Sequence, residues 1–236
     1  MRTSSAKSHD RSKRVIDLVG AVGGLIALSP LLVLTAALIR ITMGAPILFR
    51  QGRPGRGGGV FVLFKFRTMK NKRDLNDNSE DEHRLTPLGR VLRQTSIDEL
   101  PELWNVLRGD MSLVGPRPLL VDYLPLYDSE QARRHEVRPG MTGLAQVSGR
   151  NILSWEDRFK LDVWYVDNRS IRLDFLIMAQ TLRKVLRMEG ISGVGHATME
   201  PFRGRDSPGA RSDSRSSNNH RTEYPVTECV RKELAE

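Results

Sequence analysis

The feature that most constrains this chain is an uncharged apolar run of 22 residues, Leu18 to Ile39. As a continuous helix it would be about 33 Å long, just enough to cross the hydrocarbon core of a bilayer. It exceeds the apolar core of a signal peptide, and the basic, Gly-rich stretch after it does not resemble a processing site. Two membrane readings remain. A straight spanning helix has to put its ends on opposite faces. The flanks argue otherwise: Arg11, Lys13 and Arg14 precede the run, and Arg40, Arg50 and Arg53 follow it. Basic flanks favour the cytoplasmic side, so both ends are expected there, which a re-entrant helix allows. Ser29-Pro30 lies at the middle of the run. Proline removes a backbone donor and clashes with the preceding turn, so it bends a helix. The serine hydroxyl can donate to the carbonyl that the proline leaves unpaired, which matters where water is absent.

Charge points the same way. The net charge is +9, and from Arg40 to Arg73 there are nine Lys/Arg and no Asp or Glu. Such a stretch directly after an apolar run suits anionic lipid headgroups. A nucleic-acid partner fits the total charge, but zinc-ligand spacing, an RNA-binding aromatic signature and repeats are all missing, so none is expected. The only cysteine, Cys229, excludes an intrachain disulfide, which suits a cytoplasmic catalytic part.

Pro46 to Arg50 and Val60 to Phe66 read as two short strands joined by the loop GRPGRGGG. That loop lacks the spacing of a Walker or dinucleotide motif and reads as a flexible connection. Asn71 to Arg84, dense in charge and amide, reads as an exposed loop. A helix is predicted after Thr86-Pro87 with Leu88, Val91 and Leu92 inward, a second from Ser96, and a third from Ser154 with Trp155, Phe159, Val163 and Trp164 as its bulky positions. A fourth is predicted from about Leu173 to Met188 and closed by Gly190. Its stripe of Phe175, Met178, Ala179, Leu182, Val185 and Leu186 can face either the core or a membrane surface.

The chemistry concentrates in Asp98-Glu99. Ser96-Ile97-Asp98-Glu99 also matches the S-x-x-E capping box, and acids in a first helical turn are ordinary. Their surroundings suggest more. Gly115-Pro116-Arg117-Pro118 is a rigid turn that fixes one arginine. Arg138-Pro139-Gly140 and Gly149-Arg150 carry two more, and Lys65-Phe66-Arg67 a basic pair at a strand end. Arginine grips phosphate with a bidentate fork. Two acids at a helix start can hold magnesium, which takes one or two carboxylates plus phosphate oxygens. An aspartate can instead attack phosphorus. These parts fit phosphoryl transfer. A basic membrane-anchored scaffold for anionic lipid is the alternative.

The blocks KFRTM (Lys65 to Met69), DELPELWNVLRGDMSLVGPRP (Asp98 to Pro118) and RPGMTGLAQVSGR (Arg138 to Arg150) resemble the signature blocks of the bacterial sugar transferases, the monotopic phosphoglycosyl transferases. HATMEPFRG (His196 to Gly204) resembles the closing motif of their small, single-domain form. The resemblance implies transfer of a sugar phosphate from a UDP-sugar to polyprenyl phosphate, with release of UMP, at the cytoplasmic face of the bacterial inner membrane. It implies a re-entrant helix broken at a Ser-Pro pair, here Ser29-Pro30. Asp98 would be the nucleophile, Glu99 would assist through magnesium or proton handling, and Arg117 would bind phosphate. Lys65, Arg67, Arg93 and Arg150 would contact phosphate or nucleotide, or else form structural ion pairs. Asp162 and Asp167 are expected to be structural, and His196 has no visible partner. The expected fold is α/β and mainly helical, a membrane-associated catalytic domain with few short strands. The expected organisation is a basic segment (1–14), the re-entrant helix (15–41), a cytoplasmic phosphoglycosyl transferase domain (42–204) and a disordered tail (205–236).

Overall fold

The computed structural model describes residues 4–70, 84–149, 153–187 and 201–204. Most of the expected 71–84 loop, Gly190, His196 and the expected tail lie outside the described residues.

The basic segment and the apolar run form one bent pair of helices. Helix α1 (Ser4–Ala27) already includes the basic residues, and α2 (Ser29–Met43) leaves it at 61°. Among the described residues no single helix is long and apolar enough to cross a membrane. The bend has a local cause. Pro30 has no N–H for the carbonyl of Ile26, four residues back, and Ser29 Oγ donates to that carbonyl at 2.8 Å instead. Two of the cations that precede the run are engaged by the protein itself. Lys13 pairs with Asp174 at 2.8 Å, and Arg14 donates to the carbonyls of Val106 and Leu107. Asp17, buried just before the run, accepts from Ser112 Oγ and Leu113 N.

Strands β1 (Leu48–Pro54) and β2 (Val60–Phe66) form an antiparallel hairpin. Strand β1 runs longer than the sequence suggested, so Gly52, Arg53 and Pro54 are strand residues and the turn is only Gly55 to Gly59. Helix α3 (Pro87–Gln94) starts at Thr86, whose side chain accepts from Gly89 N. It buries Gly89 and Leu92 but leaves Val91 exposed, contrary to expectation. A single 3₁₀ turn, Ile97–Glu99, then leads into α4 (Glu102–Arg108).

The remainder packs around a short parallel pair, β3 (Ser112–Val114) and β4 (Gly140–Thr142). Where they meet, a Cβ on Gly140 would lie 2.1 Å from Gly115 N, so only glycine permits the approach that sets the Gly115–Pro118 turn. Between them lies α5 (Ser129–Ala132). Then come α6 (Leu144–Gly149), α7 (Trp155–Asn168, opened by Ser154 as predicted) and α8 (Ile171–Leu186). Helix α8 buries Leu173, Asp174 and Ile177, while Phe175, Leu182 and Leu186 from the predicted stripe are exposed. Of the two readings left open for that stripe, the core-facing one holds only at Met178, which packs against the core. The fold is mainly helical with two small sheets, as expected.

Each arm of the bent pair rests on a different part of the domain. Ala21 of α1 packs with Leu103, Val106 and Met111, at and beyond α4. Ile39 of α2 packs with Phe66 of β2 and Leu92 of α3. The turn carrying Asp98 and Glu99 lies between these two supports.

Candidate active site

The capping box is not formed. Ser96 is the only described non-glycine residue with positive φ, at 56°, and its side chain makes no cap bond. This left-handed residue ends α3 and starts the 3₁₀ turn. An ordinary side chain held there costs on the order of 1 kcal/mol, so the surrounding packing has to enforce it. Glu99 does not reach back to Ser96. Its carboxylate accepts from Lys65 Nζ at 2.7 Å and from Arg117 Nη1 and Nη2. These two cations hold the Glu99 carboxyl far below the usual carboxylate range despite its burial.

Asp98 is the opposite case. Its side chain is buried, and no described residue hydrogen-bonds to it. Burial and the neighbouring Glu99 charge push its pKa up to about 6, against the pull of Lys65, Arg93 and Arg117. The result is a carboxylate with open lone pairs facing three cations. That is the state a nucleophile or a metal ligand needs.

Each cation is positioned by a separate element. Lys65 ends β2, whose free edge is held by Asn105. This fully buried side chain accepts from Phe64 N at 3.1 Å and donates to Val62 O at 2.7 Å. Arg93 leaves the last turn of α3 and donates from Nε to Thr68 Oγ1 at 3.0 Å. Arg117 sits on its Pro-Arg-Pro turn, whose carbonyl accepts from Arg134 Nη2 at 2.8 Å. Arg134 is itself locked to Asp162 in a buried pair at 2.7 Å. Asp162 is therefore structural, as expected, and so is Asp167, which pairs with Arg133.

A family model described as bacterial sugar transferase matches residues 8–188. The chain belongs to the bacterial sugar transferase family. It is 56% identical over 193 residues to the uncharacterized sugar transferase EpsL of Bacillus subtilis, which covers 81% of this chain and 96% of that protein. It is 42% identical over 188 residues to the UDP-glucose:undecaprenyl-phosphate glucose-1-phosphate transferase of Caulobacter vibrioides, covering 75% of this chain and 70% of the relative. It is 39% identical over 197 residues to the undecaprenyl-phosphate galactose phosphotransferase of Salmonella typhimurium. That alignment covers 75% of this chain but only 41% of the longer relative. The family is one of sugar-phosphate transferases, and this chain is such an enzyme.

Within this sugar transferase, the structure brings together Asp98, Glu99, Lys65, Arg93 and Arg117. Arg67 stands apart from the expected substrate contacts. Its guanidinium donates to the carbonyls of Met43, Gly44 and Ala45, where α2 ends and leaves carbonyls without helical donors. Arg67 is therefore a clamp on the bent pair. Arg150 lies outside the described residues. Arg138 donates from Nε to Gly109 O and braces the turn after α4.

Sequence reasoning missed Glu102 and Asn105. Glu102 is buried, lies 3.1 Å from Lys65 Nζ, and has its pKa pushed up to about 7 by burial and by Glu99. Three acids thus share Lys65 and Arg117, and they titrate as a group. The available signal was spacing, since Glu102 and Asn105 stand one helical turn and two turns beyond the dyad.

Proposed function

We propose that this enzyme transfers a sugar 1-phosphate from a UDP-sugar to polyprenyl phosphate at the cytoplasmic face of the bacterial inner membrane, with release of UMP. The observation that carries the reading is the contrast within the dyad. Glu99 is fully engaged by cations, while Asp98 keeps a carboxylate that no described residue bonds. The Caulobacter and Salmonella relatives, named for undecaprenyl-phosphate sugar transfer, support the same donor and acceptor classes.

In the first half of the reaction an Asp98 oxygen bonds to the sugar-bearing phosphorus. The bond from that phosphorus to the bridging oxygen breaks, and its electron pair leaves with UMP. In the second half, an oxygen of polyprenyl phosphate bonds to the same phosphorus and frees Asp98. Arg117 and Lys65 offset charge on the equatorial phosphate oxygens. Glu99 holds both cations in register. In this reading it acts as an anchor rather than a proton carrier, in keeping with the two cations that hold its carboxyl far below the usual range.

Magnesium fits this donor set through one carboxylate. Asp98 has free oxygens, whereas the oxygens of Glu99 are occupied by Lys65 and Arg117. When bound, magnesium would neutralise charge on the donor diphosphate.

The bent helix pair suits shallow insertion. Val15, Val19, Ile26, Val33, Leu34 and Ile41 are exposed along it. Buried in a cytoplasmic leaflet, that apolar face would be removed from water while both ends stay on one side.

Intact-protein mass spectrometry after incubation with individual UDP-sugars tests the reading. One phosphosugar per chain, formed without polyprenyl phosphate, is expected. UMP that appears only when both substrates are present would replace the covalent step by direct displacement. No UMP from any donor with polyprenyl phosphate and magnesium, but binding to anionic vesicles, would favour the scaffold.

A further inference from the structure

Arg53 has no role in the site described so far. It belongs to β1, opposite Phe61, and its guanidinium turns toward the Pro-Arg-Pro turn. Nη2 donates to Gln51 Oε1 at 2.7 Å, and Nη1 reaches Pro118 O only at 3.5 Å. Nε is buried without an acceptor. Among the described residues no carboxylate forms an ion pair with it. Its charged neighbour is another guanidinium, Arg117, and the acid it feels is Glu102. Burial and Arg117 both act against its charge. Other buried arginines here are better supplied: Arg134 has Asp162, and Arg67, whose Nε is likewise without an acceptor, has three carbonyls on its other nitrogens. A desolvated, under-bonded cation beside a second cation is unfavourable in the free protein, and an anion between them relieves it.

The order of charges says which anion. Lys65 and Arg117 bond Glu99, beside Asp98, whereas Arg53 bonds Gln51 and reaches the carbonyl of Pro118. Arg117 adjoins both sides: it donates to Glu99, the residue next to Asp98, and the following residue of its turn, Pro118, carries the carbonyl that Arg53 reaches. A diphosphate with one phosphorus at Asp98 carries its second about 3 Å further on, one bridging oxygen away. The Arg117–Arg53 side is the next cationic position.

We propose that Arg53 grips the phosphate that departs with the nucleoside, not the sugar phosphate that is transferred or the phosphate of the lipid acceptor. The assignment rests on the reading above. As the bond to the bridging oxygen breaks, the electron pair moves onto the nucleoside monophosphate. Arg53 meets that growing charge with two N–H donors.

UMP is the probe, used on the full chain in detergent micelles with polyprenyl phosphate. Arg53→Gln should weaken product inhibition by UMP at least tenfold and slow adduct formation from the UDP-sugar by ten- to a hundredfold. Discharge of preformed adduct to polyprenyl phosphate should be unchanged. Arg53→Lys, which keeps charge but not the fork, should recover part of the loss and carries the test if the Gln variant does not fold. Unchanged UMP inhibition overturns the assignment. So does equal slowing of both half-reactions, or a raised KM for polyprenyl phosphate alone. A wild-type enzyme that releases no UMP from any UDP-sugar would instead sink the functional reading itself.

Discussion

Asp98→Asn should abolish turnover and at the same time stabilise the fold. The folded protein raises this carboxyl from 3.8 to about 6. That is about two powers of ten in proton affinity, or on the order of 3 kcal/mol. The pKa is raised in the fold, so protonation favours folding. The benefit is fully present below the unfolded value and is lost as pH rises through about 6. At pH 7.5 the wild type therefore folds with an ionised, unbonded carboxylate that opposes folding by up to that amount. Asparagine is nearly isosteric and uncharged. Its own buried amide offsets part of the gain, which leaves about 1–2 kcal/mol. For a domain of this size that corresponds to a rise of roughly 3–6 °C in Tm. The assay is a thermal scan of both proteins in the same detergent from pH 5 to 8, with adduct formation measured in parallel. The Tm difference should be largest at pH 8 and should shrink toward pH 5. A capping role predicts the reverse, little change in activity and a small loss of stability. A variant that is less stable at pH 7.5, or that still turns over, would refute the reasoning.

The same carboxyl predicts that kcat/KM for the donor falls about tenfold per pH unit below about 6, since only the ionised form attacks; a flat profile down to pH 5 would contradict it. Glu99→Gln should slow turnover by about a hundredfold or more while allowing some adduct, because Lys65 and Arg117 lose their shared anchor; full activity would show that the clamp is dispensable. Gly89→Ala should destabilise by on the order of 3 kcal/mol, since the new Cβ would lie 1.9 Å from Thr68 O; chemical denaturation reads this directly. Pro30→Leu should restore the donor to Ile26 O and straighten the bend, and a cysteine placed at Ser5 in that variant should become labelled from outside intact cells, whereas strong labelling in the unmutated helix would mean that the chain spans.

The parts legible in the sequence were those with local causes. Pro30 and Ser29 stand within four residues of the carbonyl they affect, so both the bend and the hydroxyl's partner could be foreseen. Thr86-Pro87 and Ser154 opened helices for the same reason. Ser96 misled because a capping box needs extended backbone at its first residue, and here tertiary packing imposes a left-handed one. Arg67 was left open between a phosphate or nucleotide contact and a structural ion pair. Its true partners, the carbonyls at the end of α2, are more than 20 residues away. Asn105 and Glu102 carried only the signal of their spacing from the dyad, because β2, which they serve, is about 40 residues earlier in the chain. In α8 the stripe is largely exposed at Phe175, Leu182 and Leu186 while Met178 packs inward, and buried Asp174 is held by Lys13 and Tyr165.

The end of β2 explains why one domain combines this helix pair with this dyad. Lys65 holds Glu99, Arg67 holds the last carbonyls of α2, and Thr68 holds Arg93. Three residues within the stretch 65–68 thus tie the helix pair to both sides of Asp98. The other arm is fixed independently, through Arg14 on the carbonyls of α4 and Asp17 on β3. Neither arm can tilt without moving a support of the 97–99 turn. A lipid phosphate arrives at a depth set by the membrane, and a nucleophile has to meet it within about 3–3.5 Å. If the bent pair sets the depth of the domain in the leaflet, these ties carry that depth to Asp98 through hydrogen bonds that are wholly or partly buried. A rigid link of this kind would let an enzyme with few strands and a small core present one carboxylate to a water-soluble donor and a membrane-bound acceptor in turn.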